Sequence, residues 1–422
     1  MALLLVVSRG MPSVVYPSLE LARRLAVAGH AVTFAGDPDS RTLATSLGLD
    51  FSSLEPSRWD EFLVDGWVQM LRDLEPDLIL IDGEMHEHII AASGTGVPVV
   101  LLNVFASIWR RPGLPPPHVM ARPGVGWKGS RIGMALFWTA LRWRKRHRAL
   151  RQWVRRGGRD RRSMLYRLAD TVGFDLRREA DVSQWLMPFT YRRLPVLSLH
   201  ALEFEFPHEP PEHVSYVGPM VLQNRGDRVL TETARKRLDE ILERRSREGR
   251  KLIYAAFGSV FTVASGFLER LVGVVAERPD WELLISLGER GTLESLPERV
   301  HAFSWLPQLE ILEHADAVVT HGGINTIDEC VLAGVPMLVY CGFETDMAGN
   351  TARVVHHGIG LAGDRNDDTL TIRRHLDRLL DEQGCLDNVA RLRLSYQAYA
   401  DQGVAEKTVT SLLEAALGER AP

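Results

Sequence analysis

Apolar positions along this chain gather into short runs separated by stretches of helical spacing, and the alternation occurs in both halves. Residues 3–7 form an apolar run, followed by a loop over 8–13. Leu19, Leu21, Ala22 and Leu25 then recur at helical spacing within 16–28, and Gly29 is placed to stop that helix. A second apolar run at 31–35 completes a strand–helix–strand opening, the start of a doubly wound sheet. The pattern returns with a strand at 78–81 ending in Asp82-Gly83, a helix over 86–93 and a strand at 97–102. Short strands at 196–199 and 214–217 close the first half. The second half opens with a charged helix over 231–247. Strands follow at 252–257, 281–286, 300–303, 317–320 and 337–340, with a helix over 268–276 and helices over 388–417. The pattern predicts α/β architecture in two domains, 1–222 and 231–422, joined by a polar linker at 223–230. Ligands gather at the carboxyl ends of such strands, so the loops at 8–13 and 82–86 are expected to share one cleft.

The densest chemistry lies between Trp305 and Met347. The buried run at 317–320 stops at His321-Gly322-Gly323, where glycine lets backbone amides approach a ligand without a Cβ in the way. Asn325 and Thr326 are read as caps of the helix that follows, which runs through Asp328 and Glu329 to Gly334. A helix N-terminus with a hydroxyl and a neighbouring imidazole suits phosphate. Trp305 offers a flat face for a base, and Glu329 a carboxylate for ribose hydroxyls. These residues together read as a nucleotide site.

The stretch resembles the donor-binding signature of the UDP-glycosyltransferase superfamily: W-x-P-Q, then H-x-G-x-N-[ST]-x-x-E, then G-V-P, then an acidic residue before Gln. Trp305, Pro307, Gln308, His321, Gly323, Asn325, Thr326, Glu329, Gly334, Val335, Pro336 and Asp346 match in order. The resemblance implies the GT-B fold, two facing doubly wound Rossmann-like domains with a cleft between them. It also implies donor-binding roles for Ser259 (in Phe257-Gly258-Ser259), Trp305, Gln308, His321, Gly322, Gly323, Asn325, Thr326, Glu329 and Asp346. The implied reaction is inverting, metal-independent transfer of a hexose from a UDP- or TDP-linked sugar to a hydrophobic small molecule, as in bacterial natural-product and antibiotic tailoring. No carboxylate cluster with metal-ligand spacing is visible, and no cofactor is expected beyond the nucleotide sugar as co-substrate.

Two positions depart from the family. Met347 stands where Gln is usual beside Asp346, removing a donor and an acceptor for sugar hydroxyls, a change that a deoxyhexose would tolerate best. Val14 falls where relatives carry the general-base His of G-H-[IV]-x-P, while the supporting Asp of the family matches Asp82. Three readings stay open. Asp82 itself serves as the base; His86 or His88 stands in; or no base is needed because the acceptor ionises easily. The bland alternatives are an N-cap role for Asp82 and a solvated first helical turn for His86 and His88. General-base catalysis contributes about 10²–10⁴-fold, so its loss would penalise an aliphatic alcohol most and a phenol, enol or carboxylic acid least.

Composition narrows the setting. The three cysteines, Cys330, Cys341 and Cys385, are scattered and too few for a disulfide framework, which points to a reduced cytoplasm. The apolar opening lacks a basic flank and reads as a first strand rather than a signal. A net charge of −4 implies no charged partner overall, yet residues 128–178 hold 16 Lys or Arg against three Asp, interleaved with Trp138, Trp143 and Trp153. That block is read as a surface for an anionic membrane or an acidic carrier protein, as a lining for a greasy acceptor, or as an Arg-rich solvated helix with an ordinary buried stripe. Nucleic acid is not expected, because no groove-reading module accompanies the charge. Two further functions are weighed: a non-catalytic nucleotide-sugar-binding partner of another transferase, motivated by Val14, and a sugar-nucleotide epimerase.

Overall fold

The computed structural model describes residues 2–54, 64–226, 229–257, 265–288, 296–341 and 345–420, the side chains of 265, 419 and 420 excepted. The strands are β1 (Leu3–Val7), β2 (Ala31–Gly36), β3 (Asp50–Ser53), β4 (Leu78–Asp82), β5 (Val99–Asn103), β6 (Ala180–Asp181), β7 (Thr190–Tyr191), β8 (Val196–Ser198) and β9 (Val214–Tyr216). They continue with β10 (Lys251–Ala256), β11 (Trp281–Ser286), β12 (Val300–Phe303), β13 (Ala317–Thr320), β14 (Met337–Val339) and β15 (Gly360–Ala362). The helices are α1 (Pro12–Val27), α2 (Arg41–Ser46), α3 (Asp65–Leu74), α4 (His86–Ser93), α5 (Arg131–Arg155), α6 (Arg161–Val172), α7 (Leu176–Glu179) and α8 (Glu232–Glu248). They continue with α9 (Ser265–Ala276), α10 (Gln308–Leu312), α11 (Ile324–Ala333), α12 (Met347–His357), α13 (Thr369–Asp381), α14 (Gln383–Asp401) and α15 (Val404–Arg420).

The chain divides into two compact units. One comprises Met1–Pro116, Pro123–Asp227 and Ala398–Pro422; the other comprises Pro117–Arg122 and Arg228–Gln397. The first is built on a seven-stranded parallel sheet in the order β3-β2-β1-β4-β5-β8-β9. The second is built on a six-stranded parallel sheet in the order β12-β11-β10-β13-β14-β15. The central strands are apolar throughout because a parallel sheet is covered on both faces: Leu4 to Val7, Leu78 to Ile81 and Ala317 to Val319 are buried. In each sheet the strand order reverses once at its centre, between β1 and β4 and between β10 and β13. There the connections diverge to opposite faces and leave a crevice at the carboxyl edge. Both candidate sites lie at these edges.

Two local expectations change. α1 starts at Pro12 rather than near residue 16, because Pro at the first helical position lacks only an amide that would have no partner there. The C-terminal helix α15 packs Ala405, Val409 and Leu413 into the core of the first unit beside Leu21 and Leu25 of α1. Sequence alone left its partner open.

Candidate active site

In the second unit the donor-type signature is assembled around the turn after β13. Gly322 sits at φ +89°, a conformation that L side chains rarely adopt. A Cβ there would also lie 2.9 Å from Val339 Cγ1. Gly323 makes room for an imidazole: a Cβ on it would stand 2.7 Å from Nε2 of His321. The glycines therefore hold His321 against the mouth of α11, whose first helical bond is Ile327 N–H to Gly323 O. Amides before that bond have no acceptor within the helix and point outward, the arrangement that receives phosphate. Asn325 and Thr326 do not cap α11. Gly323 occupies the N-cap position without a side-chain cap, and the two residues lie inside the first turn. Burial pushes His321 down to about 4, against an opposing backbone hydrogen bond with Ala256, so it is neutral at pH 7 and brings no positive charge to the turn.

Gln308, Thr326, Glu329 and Asp346 are linked to the same turn. Gln308, the first residue of α10, donates through Nε2 to Glu329 Oε2, with Thr326 Oγ1 3.4 Å away. Tyr254 donates its hydroxyl toward Gln308 Oε1 at 3.5 Å. Glu329 is buried and Trp305 half-buried. Asp346 stands at the N-cap position of α12 and Met347 at its first turn. One residue that sequence reasoning missed ties these parts together. Asn350, wholly buried, donates from Nδ2 to Gly322 O at 3.1 Å and to Asp346 Oδ2 at 3.0 Å. Its spacing of four from Asp346 on one helix face was the available signal. Ser259 lies outside the described residues. Among the described residues, no group of three or more His, Cys, Asp or Glu is arranged to hold a metal ion.

In the first unit, Asp82 ends β4 at the carboxyl edge, next to the reversal of strand order. Its Oδ1 accepts from Glu84 N–H at 2.9 Å, and only 6% of its surface is exposed. Asp82 does not cap α4; Met85 holds that position. Burial pushes its carboxyl up to about 7, partly opposed by the Glu84 amide and reinforced by the Glu84 charge. A carboxylate that titrates near neutrality is matched to general-base work.

The expected solvated first turn for His86 is wrong. Its ring is fully buried, with Nδ1 3.1 Å from the Tyr191 hydroxyl, Nε2 3.4 Å from Met187 O and Phe189 packed 4.8 Å away. α4 packs its first turn inward here because Phe189 and Tyr191, just before and within β7, supply an aromatic wall, a long-range feature. His88 is half-buried with its ring 5.3 Å from Trp67, edge-on. Burial pushes both imidazoles down to about 4. Val14 is half-buried in the first turn of α1, packed against the core, and its carbonyl accepts from the Ser18 hydroxyl.

Comparison with known proteins points the same way. The sequence profile for the erythromycin biosynthesis protein CIII-like C-terminal domain matches residues 269–409. The oleandomycin glycosyltransferase of Streptomyces antibioticus is 26% identical over 443 residues, spanning 96% of this chain and 89% of that protein. Over nearly its whole length the chain is similar to glycosyltransferases of the UDP-glycosyltransferase superfamily, and it is a nucleotide-sugar-dependent glycosyltransferase. This glycosyltransferase is also similar to 4'-demethylrebeccamycin synthase of Lentzea aerocolonigenes, 30% identical over 57% of the chain and 58% of that protein. Among solved structures, the glycotransferase of kitacinnamycin superposes with a TM-score of 0.68 at 25% identity over 98% of this chain and 99% of that one. VinC in complex with dTDP superposes at 0.65 and 19% identity over 99% and 100%. The glycosyltransferase therefore has the GT-B fold and uses a nucleotide sugar.

Proposed function

We propose that this glycosyltransferase moves a sugar, with inversion and without a metal, from a UDP- or TDP-linked donor to a hydrophobic small-molecule acceptor. Asp82 would serve as the general base. The observation that carries the reading is the buried Asp82 carboxyl at the end of β4, raised to about 7. In the proposed step an acceptor O–H gives its proton to Asp82 as its oxygen attacks the anomeric carbon. The bond from that carbon to the diphosphate oxygen breaks on the opposite face. The departing nucleoside diphosphate takes the electron pair, and its charge is received by the amides at the first turn of α11, beside His321. Gln308 and Glu329 would meet the ribose, and Asp346 the sugar.

Relatives support the substrate class: one is an oleandomycin glycosyltransferase and another a demethyllactenocin mycarosyltransferase, 33% identical over 97 residues. A bacterial natural-product setting follows from them, and VinC's dTDP favours a thymidine donor. Met347 beside Asp346 favours a deoxyhexose over glucose, since one amide fewer faces the sugar. The second reading, a non-catalytic nucleotide-sugar-binding partner, rests on Val14 at the usual base position.

Product formation by mass spectrometry separates the readings. UDP- and TDP-sugars are crossed with aliphatic-alcohol, phenolic and carboxylic acceptors, for the wild type and Asp82→Asn. Transfer to an alcohol that falls about 10²–10⁴-fold in Asp82→Asn supports the base. Transfer confined to acidic acceptors and indifferent to the substitution removes Asp82 from catalysis. Nucleotide-sugar binding with no product across the panel favours the partner reading.

A further inference from the structure

The basic block seen in the sequence folds into two features the transfer reaction does not use. α5 is seated on the first unit through Met134, Trp138 and Lys145: Trp138 Nε1 donates to Leu114 O at 2.8 Å, and Lys145 Nζ donates to Gln184 O and Leu186 O. These residues recur at spacings of four and seven, one face of a helix. On the opposite face Ile132, Leu136, Trp143, Leu150 and Val154 recur at spacings of four and seven as well, and each is 58–75% exposed. The sequence left open a buried stripe and a membrane-facing surface; the helix carries a stripe on each face, the exposed one about 33 Å long at 1.5 Å per residue. Arg142 and Arg146 flank it on one side, and Arg144, Arg148, Arg151 and Arg155 on the other. α5 contains no Asp or Glu.

The second feature is a cavity of about 480 Å³ beside the stripe. Arg142, Arg146, Arg148, Arg156, Arg161 and Arg162 line it, with Lys145, against a single carboxylate, Asp160. Arg161 is held by Glu87 at 2.8 Å, and Asp160 caps α6 through the Ser163 amide and hydroxyl. Arg142, Arg146, Arg148 and Arg156 have no carboxylate partner among the described residues. Gathering this many unneutralised guanidiniums around one recess is unfavourable unless an anion occupies it.

We propose that α5 and this cavity bind an anionic phospholipid at a membrane surface, with the phosphate in the cavity and the apolar stripe lying against the acyl region. Guanidinium forks match phosphate oxygens in pairs. Arg142 and Arg146 belong to both features, so head and tail would be held by adjacent groups. Cations on both flanks of an apolar, Trp-bearing stripe are the pattern of a helix lying in the interface plane, its arginines reaching up to headgroups. An acidic protein would neutralise the charge but has no need of an aliphatic stripe bordered by cations on both sides; nucleic acid would leave the stripe uncovered. Among the described residues no helix is long and apolar enough to cross a membrane, so the contact is peripheral.

The test is co-sedimentation of the full chain with vesicles of phosphatidylcholine, with and without phosphatidylglycerol, for the wild type and two double variants. Trp143→Ser with Leu150→Ser removes the stripe, and Arg142→Gln with Arg146→Gln opens the cavity; retained thermal unfolding certifies both folds. The wild type should bind only the phosphatidylglycerol vesicles. The arginine pair should weaken binding about thirtyfold, at roughly 1 kcal/mol per cation near an anionic surface. The stripe pair should weaken it at least tenfold, and brominated acyl chains should quench the wild type's fluorescence more than that of Trp143→Ser. An unbound wild type overturns the proposal, as does a stripe variant that binds undiminished, because adsorption would then be charge alone. Calorimetric binding of glycerol phosphate without vesicle binding would assign the cavity to a soluble phosphate instead.

Discussion

Asp82 is a carboxylic acid kept where water solvates its charge poorly, and two consequences of opposite sign follow. As a base it works only when deprotonated, so kcat/KM should fall as pH drops through about 7. A profile measured on an alcohol acceptor should lose that limb in Asp82→Asn. Its folded pKa exceeds the ordinary carboxylate value, so the folded state holds a proton between pH 4 and 7 that the unfolded chain releases. That contribution to stability declines as pH rises across this window, and Asp82→Asn should therefore have the higher Tm at pH 8. A lower Tm there would mean that the Glu84 hydrogen bond outweighs burial. At Asn350 the expectation concerns binding. Asn350→Ala leaves Gly322 O and Asp346 without their shared donor and should raise KM for the nucleotide sugar roughly tenfold, for about 1.4 kcal/mol. An unchanged donor KM would show that the turn is held by Gly322 alone.

Among the elements, α8 and strands β11 and β12 of the second sheet are joined through one buried carboxylate. Glu282 of β11 is fully buried, and Arg244 of α8, Arg250 and His301 of β12 bond it at 2.8, 2.9 and 2.7 Å. Burial acts to raise its pKa, but the bonds from His301, Arg250 and Arg244 outweigh it and hold the group at about 2. Its stabilisation is full above the ordinary carboxylate range and is lost as pH falls toward 2. Glu282→Gln, which takes the carboxylate from Arg244 and His301 and leaves Arg250 with Glu248 alone, should cost about 3–5 kcal/mol. Urea unfolding at pH 7 measures it, and a change under 1 kcal/mol would mean water replaces the carboxylate. Apart from β3, whose Asp50-Phe51-Ser52-Ser53 forms no apolar run, and β15, the strands of both sheets were legible because each is an apolar run bounded by polar or glycine positions. β15 escaped notice, since Gly360-Leu361-Ala362 is too short to show a period.

For the molecule as a whole, the C-terminal helix belongs to the first unit although its sequence follows the second. Ala405, Val409 and Leu413 are buried against α1, and the segment begins where Tyr399 donates its hydroxyl to Glu203 at 2.9 Å and accepts from Leu202 N–H at 3.1 Å. Removing residues 404–422 should destabilise the first unit by about 3–6 kcal/mol through lost apolar burial. Calorimetry should then show the transition of the second unit unmoved. A shift of both transitions would mean that the two units unfold together.

The order of strands and helices, the doubly wound character and the donor-type signature were determined by local sequence, because periodicity, glycine turns and helix stops act within a few residues. Tertiary structure alone decided which charges are hidden. It buried His86 behind Phe189 and Tyr191, raised Asp82, linked Asn350 to both Gly322 and Asp346, and turned one face of α5 outward with its tryptophan uncovered. Each of these depends on side chains far apart in the chain, and solvation is set by the whole set of neighbours rather than by spacing.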